Sequence, residues 1–136
     1  MESSITQAES RLSMPLGEAI FSLRAIRRLK PDPIPTEDLR TILEATIRAP
    51  NGGNAQRWHF LVVQDAQLRE AFAPLYKEAW WAKRKDEGYS GPEDLPEKYG
   101  PAMRFAEEIR QAPVLVFTCA TVKGSGPAES VVSASQ

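Results

Sequence analysis

Hydrophobic residues recur at helical spacing in four stretches of the chain and form short continuous runs in two others. The clearest helix is predicted after Thr36, a good N-cap residue that is followed by two acidic residues in the first turn. Polar side chains occupy the opposite face of this helix. Its predicted buried stripe consists of Leu39, Ile42, Leu43 and Ile47.

Two further helices and two strands are predicted after it. Asp65 caps a helix that extends to about Trp81, and a short helix is expected over residues 103–109. The continuous apolar runs at residues 60–63 and 113–120 predict two buried strands. Helices that alternate with strands indicate a fold of mixed α and β structure.

An arginine-rich segment, residues 24–30, continues a helix that is predicted to open at Pro15. On a helical end, Arg24, Arg27 and Arg28 would lie on one side, so that three guanidinium groups can converge on one anion. A phosphate dianion suits them, because arginine stays charged and donates two parallel hydrogen bonds. The alternative is a solvated helix face, since charged side chains are exposed by default. Spacing alone favours the solvated face.

A polar loop, residues 51–57, connects the helix after Thr36 to the first strand. Its two glycines, Gly52 and Gly53, permit positive φ and a close approach of a ligand to the backbone. Asn54 and Gln56 offer amide donors and acceptors, which suit the polar edge of a heterocycle. An ordinary connection is the alternative, because asparagine and glycine are common in turns. The loop has neither the GxGxxG nor the GxxxxGK[ST] spacing of phosphate-binding loops.

Composition narrows the possible functions. The 136 residues suffice for one domain, and the formal net charge of -1 creates no field that attracts nucleic acid or an anionic membrane.

Cys119 and the tryptophans Trp80 and Trp81 are expected to be buried, although the tryptophans could instead form a stacking surface. His59 is expected to be structural, and no metal-ligand set is evident. No stretch reaches the roughly 18 apolar residues of a membrane span, and a cytoplasmic location is expected.

Three segments depart from this core pattern. Residues 1–14 lack an apolar period and are predicted to be a flexible lead-in. Residues 83–101 are charged and rich in glycine and proline, which predicts a lid-like excursion. Residues 128–136 look like the start of a helix that no cap closes. We therefore expect residues 15–136 to form one domain that is truncated at its C-terminus.

Two motifs resemble those of the nitroreductase-like family of FMN-dependent oxidoreductases. Residues 22–35, SLRAIRRLKPDPIP, are similar to the family's R-R-S-x-R-x-[FY] segment and the proline-containing turn behind it. Residues 49–60, APNGGNAQRWHF, are similar to its A-P-S-x-x-N-x-Q-P-W-x-F motif. The motifs occur in the family's order, and the similarity runs from about Leu16 onward. The resemblance implies an α+β fold with a mixed, mainly antiparallel central sheet flanked by helices, which is incomplete in this chain.

The resemblance also implies a non-covalently bound FMN that accepts hydride from NADH or NADPH. Electrons would then pass, in a ping-pong cycle, to a nitroaromatic, a quinone or a similar acceptor. The flavin would carry the chemistry without a catalytic side chain. Such proteins form homodimers with FMN at the interface. By motif position, the cofactor contacts would be Arg24, Ala25, Arg27, Arg28, Asn51, Asn54 and Gln56.

Three residues depart from the family's motifs: Leu23 replaces the first arginine, Ala25 the serine, and Arg57 the proline before the tryptophan. These changes put one or two phosphate contacts in question, and Arg28 is the candidate to replace the lost guanidinium. Two other functions stay open. One is a flavin-binding module, or an inactive truncated relative, without a complete electron-transfer site. The other is a module that binds nucleic acid or another anionic partner through residues 24–30.

Overall fold

A computed structural model of the chain describes residues 12–120. Most of the predicted lead-in and the predicted helix start at residues 128–136 lie outside the described residues. The two described strands pair in one antiparallel sheet, which together with the helices agrees with the expected α+β class. The helices are α1 (Leu16–Ser22), α2 (Thr36–Thr46), α3 (Ala66–Asp86) and α4 (Gly100–Glu108), and the strands are β1 (Trp58–Val63) and β2 (Leu115–Ala120).

The described residues divide into two compact units. The first unit contains residues 12–24, 34–62 and 116–120, which include α1, α2 and most of the two strands. The second unit contains residues 25–33 and 63–115, which include α3 and α4.

In the first unit, α2 begins at Thr36, as its acidic first turn predicts. The prediction that Thr36 is the N-cap is wrong, because Pro35 occupies that position and no side chain caps the helix. Leu39 is buried, but Ile42 and Ile47 are each about half exposed, so the predicted stripe is only partly correct. The helix buries Thr41 instead, whose hydroxyl donates to the backbone oxygen of Glu37, four residues earlier, at 2.9 Å. This bond satisfies a polar group that burial would otherwise penalise.

The sheet of the first unit has one well-buried side chain, that of Trp58 at the start of β1. Along β1, Trp58 is buried, His59 is exposed and Phe60 is partly buried, which is the alternation expected of a strand with one covered face. Cys119 on β2 is exposed, so the prediction of a buried thiol is wrong. A sheet of two strands has little structure packed on its faces, so an apolar residue on such a strand can remain exposed.

In the second unit, Asp65 caps α3 as predicted, and its carboxylate accepts a hydrogen bond from the backbone N–H of Leu68 at 2.9 Å. The helix continues to Asp86, beyond the predicted end near Trp81. Three basic residues in its last turn favour this extension, because they complement the negative end of the helix dipole. Among residues 12–120, no helix has both the length and the apolar character needed to cross a membrane.

Helix α4 packs against α3, and the core of the second unit lies at this contact. Ala106, Ile109 and Ala112 are its buried apolar residues. Arg69 near the start of α3 donates hydrogen bonds through its Nη1 to the backbone oxygens of Arg110 and Ala112. These bonds join the beginning of α3 to the turn that follows α4, more than forty residues later in the chain.

The predicted excursion, residues 83–101, is partly helical. Residues 83–86 complete α3 and residues 100–101 begin α4, and two short 3₁₀ turns, Pro92–Asp94 and Glu97–Tyr99, lie between them. Gly88 adopts a φ of 94°, which a residue with a side chain rarely adopts. The connection between α3 and α4 is therefore an ordered sequence of turns, and its role as a lid stays a prediction.

Candidate cofactor site

The polar loop between α2 and β1 is closed by one residue, Asn51. Its backbone oxygen accepts a hydrogen bond from the N–H of Asn54 at 3.1 Å, which forms the 3₁₀ turn Gly52–Asn54. Its side-chain oxygen accepts from the backbone N–H of Gln56 at 2.8 Å. Both oxygens of Asn51 are thus used within the loop. They bring Asn51, Asn54 and Gln56 together.

Three residues of this loop adopt left-handed backbone conformations. Gly53 has a φ of 60°, as its residue type permits, and Asn54 and Gln56 have φ values of 52° and 46°. Such a conformation costs roughly 1–2 kcal/mol for a residue with a side chain, although asparagine tolerates it better than most. The Gln56 side chain compensates by donating from Nε2 to the Asn54 side-chain oxygen at 2.9 Å. Sequence reasoning expected positive φ only at the glycines.

The loop is open to solvent. A Cβ atom added at Gly52 or Gly53 would meet no atom within 4 Å, and the side chains of Asn54 and Gln56 are exposed. Within residues 12–120, the amino group of Asn54 has no hydrogen-bond partner. The loop therefore presents an unused amide donor beside glycine backbone that a flat ligand can approach closely.

The arginine-rich segment is not helical, and that prediction is wrong. Helix α1 ends at Ser22, and Leu23 already has extended backbone with φ -55° and ψ 122°. Residues 23–31 contain no helix or strand. Helix α1 buries none of its residues within the described part of the chain, so no tertiary packing favours its extension. The three- and four-residue spacing of the arginines consequently does not place them on one helix face.

Each arginine of the predicted site is exposed. Arg24 donates from Nη1 to the backbone oxygen of Leu23 at 2.7 Å, and Arg27 donates weakly to the backbone oxygen of Ala25 at 3.5 Å. Among the described residues, none of Arg24, Arg27 and Arg28 forms an ion pair with a carboxylate. Arg24 belongs to the same unit as the loop, whereas Ala25, Arg27 and Arg28 belong to the second unit. The charges of the three arginines are available to an anionic ligand.

A second cluster of charged and aromatic residues lies in the second unit, around Arg84. This residue is only 7% exposed. Its guanidinium lies 5.2 Å from the ring centroid of Trp80 and 4.7 Å from that of Tyr99, and it pairs with Glu87 at 2.9 Å. Trp81 packs edge-on against Trp80, with ring centroids 5.0 Å apart. Both tryptophans are half-buried, so the expectation of burial is only partly met. The four-residue spacing of Trp80 and Arg84 on a helix was the signal for this contact.

Comparison with known proteins identifies the family. The model of the nitroreductase family matches residues 20–134. The chain belongs to the nitroreductase family. This confirms the resemblance carried by the two motifs, and the nitroreductase-like fold class is confirmed with it. Both motifs lie within the matched residues.

Curated relatives of this family member match it over shorter stretches. An NADH dehydrogenase of Thermus thermophilus is 45% identical over 53 residues, which are 39% of this chain and 26% of that protein. The nitroreductase NfnB of Mycolicibacterium smegmatis is 38% identical over 77 residues, which are 54% of this chain and 30% of that protein. The matched part of this nitroreductase-family chain therefore spans about a quarter to a third of these relatives.

Two solved structures resemble the nitroreductase-family chain. An oxidised iodotyrosine deiodinase bound to FMN and 3-iodo-L-tyrosine superimposes with a TM-score of 0.68 at 26% identity, covering 89% of this chain and 65% of that one. A BluB-like flavoprotein from Clostridium difficile superimposes with a TM-score of 0.55 at 27% identity, covering 82% of this chain and 51% of that one. The family fold thus accounts for most of this chain, while this chain accounts for only part of either structure.

Proposed function

We propose that the chain is part of an FMN-dependent oxidoreductase that uses NADH or NADPH. The observation that carries this proposal is the loop at residues 51–57, which matches the family's second motif and presents an unpaired amide donor at an open, glycine-bearing backbone. Membership of the nitroreductase family and the FMN in a similar structure support it. The substrate would be a small electron acceptor such as a nitroaromatic or a quinone.

The donor set of the chain fits FMN. Arg24, Arg27 and Arg28 are exposed guanidinium groups that form no ion pair among the described residues, and they suit the cofactor's phosphate and ribityl chain. Ala25 would contact the cofactor only through its backbone or methyl group. Asn54 and Gln56 offer amides for the polar edge of the ring system. The chain therefore provides guanidinium groups for the phosphate and side-chain amides for the ring system.

Bound FMN would accept a hydride from the nicotinamide and pass electrons to the second substrate, which gives ping-pong kinetics. The chain's own residues bind and orient it. The arginines would bind the phosphate, and the amides of the loop would donate hydrogen bonds to the ring system. No side chain of the chain is assigned a proton-transfer role. Catalysis by this protein would consist of positioning and electrostatics.

We also propose a homodimer with FMN at the interface. Helix α1 supports this part of the proposal, because its apolar side chains Leu16, Ile20 and Phe21 are all more than half exposed. Large apolar residues that are exposed together on one short helix favour an interaction site. The cytoplasmic location expected from the sequence also remains part of the proposal, and fractionation of cells tests it.

A second candidate is reductive removal of a halogen from an aromatic substrate by the same flavin. The observation that favours it is the similarity to the iodotyrosine deiodinase, which covers 89% of this chain. The two candidates differ in the acceptor that reoxidises the reduced protein. A third possibility, a flavin-binding module without electron transfer, binds FMN but is not reduced by nicotinamide.

The visible absorption spectrum of the purified protein tests the proposal. We expect a yellow protein with about one flavin per subunit, bleached by NADH or NADPH under anaerobic conditions and recoloured by a nitroaromatic or a quinone. Recolouring by iodotyrosine, with release of iodide, would select the second candidate. A flavin that binds but is not bleached would select the module. A protein that cannot be reconstituted with FMN, measured beside an intact mass that confirms the chain, would refute all three.

A further inference from the structure

We propose that Asn51 is a positioning residue of the flavin site and not one of its contacts. Its side-chain oxygen holds the backbone of Gln56, and through it the conformation of Asn54. This inference rests on the proposed function, because it assigns a role within the FMN site. It differs from the expectation from the motif, which places Asn51 among the residues that touch the cofactor.

The orientation of the Asn51 carboxamide is fixed by its partner. The group that it faces, 2.8 Å away, is the backbone N–H of Gln56, which can only donate. The atom of Asn51 at this position must therefore be the oxygen, and the amino group points elsewhere. Because the backbone oxygen of Asn51 is also occupied, by the N–H of Asn54 at 3.1 Å, both acceptors of this residue serve the loop.

The loop needs this bond because two of its residues are in an unfavourable conformation. Gln56 has a φ of 46° and Asn54 a φ of 52°, and neither is glycine. Without an acceptor for its N–H, Gln56 would relax towards negative φ, which residues with side chains prefer. That rotation would move its side chain away from the Asn54 oxygen, from which it now lies 2.9 Å. The bond from Asn51 thus sets the position of the amide that is proposed to contact the flavin ring.

Two substitutions separate this role from direct contact. Asn51→Asp keeps an oxygen at the same place and loses the amino group, and a carboxylate accepts a backbone hydrogen bond at least as well as an amide. Asn51→Ala loses both. A positioning role requires only the oxygen, whereas donation from Asn51 to the cofactor requires the amino group. Asn54→Ala serves as the comparison, because it removes a proposed flavin contact and keeps both atoms of the hydrogen bond between Asn51 and Gln56.

The experiment measures two quantities on each variant of the full chain. The first is the hydrogen-exchange rate of the Gln56 amide without FMN, followed by NMR, and the second is the dissociation constant of FMN from titration of its visible absorbance. We expect Asn51→Ala to speed exchange and to weaken FMN binding by roughly tenfold, the effect of one lost hydrogen bond. We expect Asn51→Asp to retain slow exchange and to bind FMN within about threefold of the original protein. Asn54→Ala should weaken FMN binding while Gln56 stays protected.

Two results would overturn the inference. One is an Asn51→Ala variant whose Gln56 amide exchanges as slowly as in the original protein. The other is an Asn51→Asp variant that weakens FMN binding as much as Asn51→Ala does. Failure of the proposed function looks different, because the original protein would then bind no FMN at all. In that case the exchange rates still decide whether Asn51 holds the loop.

Discussion

At the scale of single residues, the proposed site depends on charges that form no ion pair within residues 12–120. Arg24 shows this most clearly, because in this part of the chain its guanidinium donates only to backbone oxygens, those of Leu23 at 2.7 Å and Phe21 at 3.3 Å. An arginine without a carboxylate partner can bind a phosphate without first breaking an ion pair. Arg40 in the same unit offers a contrast, since it pairs with Glu44 at 3.0 Å.

These two arginines provide a matched test. We expect Arg24→Ala to weaken FMN binding by roughly 1.5–3 kcal/mol, the range for a hydrogen bond to a charged group. Arg40→Ala, which removes the same charge from an exposed position with a protein partner, should leave the affinity within about 0.5 kcal/mol. Calorimetric titration with FMN measures both. Equal affinities in the two variants would show that Arg24 is a solvated side chain.

The sequence indicated which residues form the loop but not how the loop is built. The spacing of Gly52, Gly53, Asn54 and Gln56 and the resemblance of the motif were sufficient to select them. The positive φ values of Asn54 and Gln56 were not foreseen, since only glycine signals such a conformation by its type. They depend on a side-chain bond that spans five residues, from Gln56 to Asn51, and periodicity carries no information about such bonds.

At the scale of elements, local signals predicted where helices begin better than what they bury. Asp65 caps α3 as predicted because capping depends on residues within one turn. The stripe of α2 was only partly correct, and α1 ended before the arginines, because burial and extension depend on partners that are distant in sequence. The end of α3 at Asp86, later than predicted, is an example of this dependence. Arg84 in the last turn of the helix contacts Tyr99 and Glu87, which both follow the helix.

Arg84 should therefore contribute strongly to stability. It is 7% exposed and lies between two aromatic rings, and its Nε has no hydrogen-bond partner among the described residues. We expect Arg84→Ala to lower the free energy of unfolding by about 2–4 kcal/mol, through lost packing, lost cation–π contacts and the lost ion pair with Glu87. Arg84→Lys should lose less, because it keeps the charge but not the flat guanidinium. Urea denaturation measures the free energy of unfolding of each variant.

The control is Lys85→Ala, a neighbouring cation in the same helical turn whose side chain is exposed. We expect it to change the free energy of unfolding by no more than about 0.5 kcal/mol. If Arg84→Ala and Lys85→Ala had equal effects, the aromatic contacts of Arg84 would contribute nothing beyond a surface charge. If Arg84→Lys were as stable as the original protein, the charge alone would suffice and the stacking would be incidental.

At the scale of the whole molecule, the exposed apolar residues of α1 support the proposed dimer. The family resemblance predicted a homodimer, whereas hydrophobic periodicity predicted a helix after Pro15 without indicating what covers its apolar residues. In the structure Phe21 is 82% exposed, and α1 buries no residue within the described part of the chain. Sequence patterns cannot distinguish a face buried within one chain from a face buried between two, because both are apolar.

A substitution on α1 tests this assignment. We expect the original protein to be a dimer by light scattering after size exclusion, and Phe21→Lys to weaken the dimer by at least about tenfold, as loss of a buried aromatic anchor does. Leu75→Lys is the control, because Leu75 is also exposed, at 61%, but lies on α3 in the other unit. It should leave the dimer unchanged.

Because FMN is proposed to lie at the interface, Phe21→Lys should weaken FMN binding in parallel, and dilution of the original protein should do the same. A monomer that binds FMN with an affinity independent of protein concentration would place the whole flavin site within one chain and leave the surface of α1 for a different partner.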